Sequence, residues 1–185
     1  GGARGWRRRA TEGGGVRREW PGHKGSGAEI RGGGASLRMI SDGDIAAAIA
    51  PAIAGSGVDL YFGIGGAPEA VLAAAGIKCL GGDMQCVMWP RDEKEKKALV
   101  AGGHGKDLSR VFFADDLANG KNIIFCATGI SDSALLRGVK THGSTAITHS
   151  ILMRAKSKTV RFIRASHDLQ NKTIRLRSDQ REHRI

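Results

Sequence analysis

The chain contains no run of about 18 consecutive apolar residues, the least that a membrane-spanning helix needs. Its start is rich in arginine with no apolar segment behind it, so no secretory signal is expected, and the reading is a soluble, cytoplasmic protein. Cysteine is scarce: Cys79, Cys86 and Cys126 are odd in number, lack C-x-x-C spacing and lie among apolar neighbours. That pattern argues against a disulfide framework or a zinc site and for reduced core residues. The absence of a G-x-S-x-G elbow argues against a Ser/His/Asp hydrolase. The dinucleotide fingerprint G-x-G-x-x-G is missing too, because Gly63-Ile64-Gly65 runs into Gly66-Ala67-Pro68 with no third glycine opening a helix. The histidines form no constellation: His142 and His149 stand seven apart, His104 sits in a glycine loop, and His167 precedes Asp168. Each reads as a surface or turn residue. No internal repeat of roughly 20–50 residues is visible.

With 185 residues the chain suffices for one domain or a piece of a larger one, burying roughly 70% of its unfolded surface. Its formal charge of +11 is unevenly placed. Residues 1–27 carry seven Lys/Arg against two Asp/Glu, residues 154–185 carry ten against three, and the middle carries twelve against thirteen. The basic excess belongs to the ends, which read as solvated arms. No recognition helix, RNA-binding aromatic signature or metal finger accompanies them, so nucleic acid is not the expected partner.

Gly1 to Gly34 holds twelve of the 28 glycines, together with Arg7-Arg8-Arg9, and shows no apolar period. It is expected to be poorly ordered. The expected division is a basic segment over 1–27, an α/β domain over 28–178 and a polar tail over 179–185. A strand is predicted at Leu37 to Ile40, then the turn Ser41-Asp42-Gly43-Asp44, then a helix from Ile45 to Ala54 that Pro51 kinks or splits. Val58 to Phe62 reads as a second buried strand and Pro68 to Ala75 as a second helix. Further helices are predicted at Glu93 to Val100 and Ser133 to Gly138, and a third buried strand at Asn122 to Ala127. Thr145 to Met153 and Thr159 to Ala165 form an antiparallel pair around Lys156-Ser157-Lys158. The alternation of strand, glycine loop and helix is the grammar of an open α/β sheet, whose ligands bind at the carboxyl ends of strands.

The loop Gly63-Ile64-Gly65-Gly66-Ala67-Pro68-Glu69 poses the functional question. Its glycines allow a sharp turn and the close approach of a ligand to main-chain N–H groups, and the helix that follows presents its positive end to an anion such as phosphate. Pro68 suits the first helical position and aims Glu69 out of the loop. A carboxylate there would repel a phosphate unless a hard divalent cation lay between them. Glutamate in a first helical turn is also favoured by the helix dipole alone. Asp42 and Asp44 flank Gly43 and could accept hydrogen bonds from sugar hydroxyls or hold a metal; Asp44 reads equally as a helix N-cap, whereas Asp42 has less structural excuse.

Three stretches together carry a family likeness: Ala35 to Asp44 with its Asp42-Gly43-Asp44, then Gly63 to Glu69, then Cys79-Leu80-Gly81-Gly82-Asp83-Met84-Gln85. The sequence resembles the class II fructose-1,6-bisphosphatases over about residues 28–178. Asp115-Asp116-Leu117, Gly138-Val139 and Thr159-Val160-Arg161-Phe162 sit where that family would have them. The resemblance implies an α/β layered sandwich with a mixed sheet, related to the lithium-sensitive sugar and inositol phosphatases. It also implies a metal-dependent phosphatase, Mn²⁺ (or Mg²⁺) being the cofactor, that removes the 1-phosphate of fructose 1,6-bisphosphate in gluconeogenesis. Carried over by position, Asp42, Gly43, Asp44 and Gly66 would contact the sugar bisphosphate and Glu69 would ligate the metal.

Members of that family are nearly twice as long, and their remaining metal carboxylates lie in an N-terminal half that this chain does not contain. A segment resembling R-P-R-H should stand about 22 residues before Asp42; here Trp20-Pro21-Gly22-His23 occupies that register without either arginine. The expectation is a C-terminal half-enzyme with little or no activity alone, no catalytic residue of its own and a tendency to form homo-oligomers through uncovered apolar surface. Two other readings stay open. A non-catalytic sugar-phosphate or metal-binding module would show saturable binding without turnover. A basic-armed nucleic-acid binder would show strongly salt-dependent binding that survives loss of the carboxylates.

Overall fold

The computed structural model describes residues 14–18, 32, 36–40, 43–171, 173–175 and 182–184. Two sheets and one long helix organise it. The first sheet is parallel, in the order β2-β1-β3, with β1 (Gly14–Arg18) between β2 (Ser36–Ile40) and β3 (Leu60–Phe62). Its central strand thus lies inside the glycine- and arginine-rich stretch that composition reads as irregular; the rest of residues 1–31 lies outside the described residues. The helix Asp44–Ile49 leaves β2 and tightens into a 3₁₀ turn at Ala50–Ala52, where Pro51 splits it as expected. Ala47, Ala50 and Val58 form a small core there, with Ile40 and Tyr61 against them. The expectation of a buried second strand fails: Leu60 is 54% and Phe62 43% exposed, because the described residues put no layer over that side of the sheet.

The helix Ala67–Leu80 is the axis of the fold. Its alanine-rich run favours helix strongly, so it continues five residues past the expected end at Ala75 until Gly81 adopts a left-handed φ of 79°. The Gly82 N–H then returns to the Ile77 carbonyl at 3.1 Å. Its buried face is made of small residues, Ala73, Ala74 and Gly76, which lets the neighbouring Ile49 come close. A Cβ at Gly76 would stand 2.4 Å from Ile49 Cδ1.

Against that helix lies the second, antiparallel sheet. Its centre is β8 (Thr145–Arg154), paired on one side with β6 (Ile124–Thr128) and β7 (Lys140–His142), and on the other with β9 (Thr159–Asp168). The expected hairpin is present, each strand longer than predicted. Phe125, Ile151 and Met153 face the helix and join Ile49, Ala73, Ile77 and Cys79 in the main core. The third predicted strand is antiparallel rather than part of one open sheet, and only half-buried: Ile124 is 65% exposed. Cys126, on the same side as Ile124, is exposed, which corrects its reading as a core residue.

Between the two sheets' strands run a two-residue ladder, β4 (Gln85–Cys86) with β5 (Phe112–Phe113), and the helices Glu93–Leu99 and Ala114–Leu117. The Glu93–Leu99 helix, expected as such, is capped by Asp92, whose carboxylate accepts the Glu95 N–H at 2.7 Å. A short ladder of β10 (Thr173–Arg175) and β11 (Glu182–Arg184) closes the described chain. The expected helix at Ser133 to Gly138 does not form. Asp132 accepts the Gly138 N–H at 2.8 Å, an amide that a helix would direct to Ala134, and the Leu136 carbonyl turns back to accept the Ser133 N–H at 2.9 Å, against the helical direction. No helix of the described residues is long and apolar enough to cross a membrane. The architecture is α/β with mixed sheets.

Candidate functional site

Gly43 precedes the first helix with φ 84°, a left-handed conformation that a β-carbon resists. It serves as the N-cap, so Asp44 is the first residue of the helix rather than its cap, and its side chain is directed across to the second glycine loop. A Cβ placed on Gly65 would lie 3.7 Å from Asp44 Oδ2 and 4.0 Å from Glu69 Cβ. The two carboxylate residues therefore border one spot, although 25 residues separate them in the chain.

At that spot the Ala67–Leu80 helix begins. Gly66 is its N-cap and Pro68 its second residue, one position later than expected, which leaves the argument intact because no N–H of the first turn has an intrahelical partner. Glu69 follows, exposed, its carboxylate folded back over Gly66. A Cβ on Gly66 would be 2.1 Å from Glu69 Oε2. Gly63, Gly65 and Gly66 are absent from the residues with positive φ, so these glycines provide room rather than a left-handed turn. The Glu69 carboxylate has no hydrogen bond or ion pair with another side chain among the described residues. The dipole of a 14-residue helix accounts for a glutamate at this position, but not for the proximity of Asp44.

The site is an open surface and not the enclosed pocket that converging strand ends suggest. Gly65, Gly66 and Glu69 are all exposed. Two recesses lie elsewhere. One, of about 460 Å³, is lined by Lys78, Gly81, Asp83, Phe113, Asp115 and Lys158 at the opposite end of the same helix, roughly 15 Å from Glu69 at 1.5 Å per residue. Another, of about 540 Å³, lies under residues 51–59. Neither contains Asp44 or Glu69. Asp42 and the Trp20-Pro21-Gly22-His23 stretch lie outside the described residues.

Carboxylate oxygens suit a hard divalent ion, and Mg²⁺-like ions are commonly held by one or two carboxylates together with water and substrate phosphate. Asp44 and Glu69 supply donors of that type. Among the described residues, no three His, Cys, Asp or Glu side chains come together as a metal cage. What the described residues present is a partial site: two carboxylates, a helix start and glycine backbone.

The anchoring of this helix was not legible in the sequence. Lys78 donates to the Ala118 carbonyl at 2.7 Å and forms an ion pair with Asp115, whose carboxyl is held below the usual aspartate range by that lysine. Cys79, whose thiol pKa is pushed up by burial, packs beneath, its Sγ 3.8 Å from the Ile123 carbonyl. Asp116 bonds to Arg110 at 2.6 Å and accepts the Phe113 N–H. Both aspartates of the Asp115-Asp116 stretch thus have structural partners, and the signal for the first was Lys78 in the last turn of a helix ended by two glycines.

The sequence profile described as bacterial fructose-1,6-bisphosphatase, glpX-encoded, matches residues 18–167. A class 2 fructose-1,6-bisphosphatase of Haemophilus influenzae is 40% identical over 149 residues, covering 75% of this chain and 45% of that protein. A D-fructose 1,6-bisphosphatase class 2/sedoheptulose 1,7-bisphosphatase of Microcystis aeruginosa is 37% identical over 158 residues, covering 80% and 46%. A protein of the same description from a Synechococcus species is 36% identical over 151 residues, covering 75% and 43%. The chain spans somewhat less than half the length of these relatives. With the matched residues running from before β2 through β9, the chain belongs to the class II fructose-1,6-bisphosphatase family.

Proposed function

We propose that this chain forms the sugar-bisphosphate-binding half of a class II fructose-1,6-bisphosphatase, a cytoplasmic phosphatase of gluconeogenesis, and that it binds substrate and metal without turning substrate over by itself. The observation that carries the proposal is the meeting of Asp44 with the Gly65-Gly66-Ala67-Pro68-Glu69 helix start. The relatives' names support the chemistry, since each is a fructose 1,6-bisphosphatase and two also act on sedoheptulose 1,7-bisphosphate. The same relationship supports a layered sandwich of the lithium-sensitive phosphatase kind.

In this reading Asp42 and Asp44 accept hydrogen bonds from sugar hydroxyls, and Gly43 and Gly66 let the sugar bisphosphate approach main chain that a β-carbon would shield. The amide N–H groups of Ala67 and Glu69 at the helix start face the phosphate, a favourable setting for an anion. Glu69 holds Mn²⁺ or Mg²⁺, which when bound neutralises charge on the transferring phosphoryl group. Pro68 has no N–H and limits the loop's freedom, so Glu69 is presented in one direction. Two carboxylates fall short of a complete phosphoryl-transfer site, and groups that act as a unit fail together. The partial donor set among the described residues favours a site that further residues must complete.

Manganese titration of the purified chain with fructose 1,6-bisphosphate, followed by free-Mn²⁺ electron paramagnetic resonance and by phosphate release, tests this. Saturable, bisphosphate-enhanced Mn²⁺ binding is expected, lost in Glu69→Ala and weakened in Asp44→Ala, with negligible phosphate release. Turnover near that of a full-length enzyme would refute the half-enzyme, and binding indifferent to both substitutions would refute the site.

A further inference from the structure

His149 reads from the sequence as a surface or turn residue, but it lies in the middle of β8, two residues before Ile151 and on the same helix-facing side. Its Nδ1 is buried without a hydrogen-bond partner among the described residues. A buried polar atom left in that state is rare and calls for an explanation. It also fixes the tautomer. A proton on Nδ1 would be an orphaned buried N–H, so the proton stands on Nε2. Nε2 has no partner among the described residues either and keeps access to solvent, which makes it an N–H donor without an acceptor.

Directly across the ladder stands Arg164 of β9, and side chains so paired have β-carbons about 4.5–5.5 Å apart on one face. Arg164 is exposed and, among the described residues, has no carboxylate partner. Lys140, across from Ile147 on the same face, is by contrast taken by Asp132 at 3.2 Å. A guanidinium fork and an imidazole N–H side by side, with no anion between them, are a donor set for phosphate.

The pair stands at the Glu69 end of the long helix. Gly76 packs on Phe125 and Cys79 on Ile123, so the helix and β6 run in opposite directions. The His149 carbonyl accepts the N–H of Gly129, which lies four residues past Phe125, roughly 13 Å along the strand. Glu69 lies seven residues before Gly76, about 10 Å along the helix in the same direction.

We propose that His149 and Arg164 bind a phosphate monoester beside the carboxylate site. That phosphate has two sources with one chemistry. It is the second phosphate of the sugar bisphosphate whose other end meets Glu69, in which case the inference rests on the proposed function, or it belongs to a separate phosphorylated ligand.

Long-range ¹H–¹⁵N NMR of the metal-free chain reads the ring nitrogens of His149, assigned by the loss of their signals in His149→Gln. The proton is expected on Nε2, and titration with inorganic phosphate at constant ionic strength should shift Nε2 and the Arg164 Nε together and saturably. Arg164→Ala, at an exposed position that leaves the fold intact, should weaken the response by about tenfold or more, and Arg164→Lys by less, since it loses the fork and keeps the charge. Repeating the titration with fructose 1,6-bisphosphate and Mg²⁺ separates the sources. Binding tighter than that of inorganic phosphate, and weakened in both Arg164→Ala and Glu69→Ala, identifies the sugar's own phosphate. Binding weakened in Arg164→Ala alone identifies a separate ligand, and it would stand even if the carboxylates proved not to hold metal. A proton on Nδ1, a shift that does not saturate, or a response unchanged in Arg164→Ala would each overturn the proposal.

Discussion

Lys158 donates from Nζ to the carbonyl of Lys78 at 2.6 Å, tying the β8–β9 turn to the last turn of the helix that carries Glu69 at its other end. The lysine adopts φ 51°, the one positive value outside glycine among the described residues. Left-handed backbone costs a β-carbon about 1 kcal/mol, and a hydrogen bond to a charged donor contributes about 1.5–3 kcal/mol when well sheltered and less when exposed. Lys158→Ala loses the bond and keeps the strain, whereas Lys158→Gly loses the bond and relieves it. Urea denaturation should therefore rank wild type above Lys158→Gly, with Lys158→Ala about 1 kcal/mol lower still.

Gly66→Ala tests the carboxylate site with a single methyl group. The new Cβ would stand 2.1 Å from Glu69 Oε2, so the glutamate side chain must swing aside. The backbone at Gly66 is extended at φ −69°, which alanine adopts freely. Global stability should fall by no more than about 1 kcal/mol, the usual loss on placing alanine at an N-cap. Mn²⁺ affinity measured by titration should fall by about tenfold, approaching that of Glu69→Gln, because the same donor is lost in both.

Gly76 and Ile49 should behave as a coupled pair. Alanine at Gly76 improves helix propensity by about 1 kcal/mol, but its Cβ would meet Ile49 Cδ1 at 2.4 Å inside the main core. Overpacking of this kind costs about 1–3 kcal/mol, so the single variant should be destabilised. Ile49→Val removes the nearer colliding carbon, leaving only Cγ1, at 2.9 Å from the new Cβ, to adjust. The double variant should recover about 1 kcal/mol or more relative to the sum of the single changes, and thermal unfolding of the four proteins measures that coupling.

Asp132 should make the 129–138 loop acid-sensitive. The Gly138 amide first, and Lys140 second, hold its carboxyl below the usual aspartate range. A group whose folded pKa is depressed contributes stability that is present above its unfolded value, near about 3.9, and lost as pH falls through the folded one. The Gly138 amide resonance should therefore shift below about pH 4, and Asp132→Asn should remove that transition. An amide unchanged down to about pH 2 would contradict the assignment.

What was legible in the sequence was mostly local. Pro51 marked the split in the first helix, the pattern of Thr145 to Ala165 marked the hairpin, and alanine content marked the long helix but not its stop, which lies at Gly81 and not at Ala75. The Ser133 to Gly138 segment misled because its Ala-Leu-Leu-Arg core favours helix, while Asp132 takes the Gly138 amide and the Leu136 carbonyl turns back to the Ser133 amide. Exposure misled as well: Leu60, Phe62 and Cys126 are apolar residues on strands, and apolarity alone does not tell whether another layer covers a strand.

For the candidate site, the residue types determined its chemistry. A glycine loop and a helix start suit an anion, and a carboxylate there suits either a hard cation or the helix dipole itself, because backbone freedom, the dipole and donor hardness are properties of a few adjacent residues. Only the tertiary structure decided that Asp44 reaches that element, that the site stays open to solvent, and that the helix beneath it is fastened at the far end by Lys78, Asp115 and Lys158. Those relations join residues from 25 to 80 positions apart, and they follow from how the helix packs against Ile49, Phe125 and Ile151, which no local stretch of chain encodes.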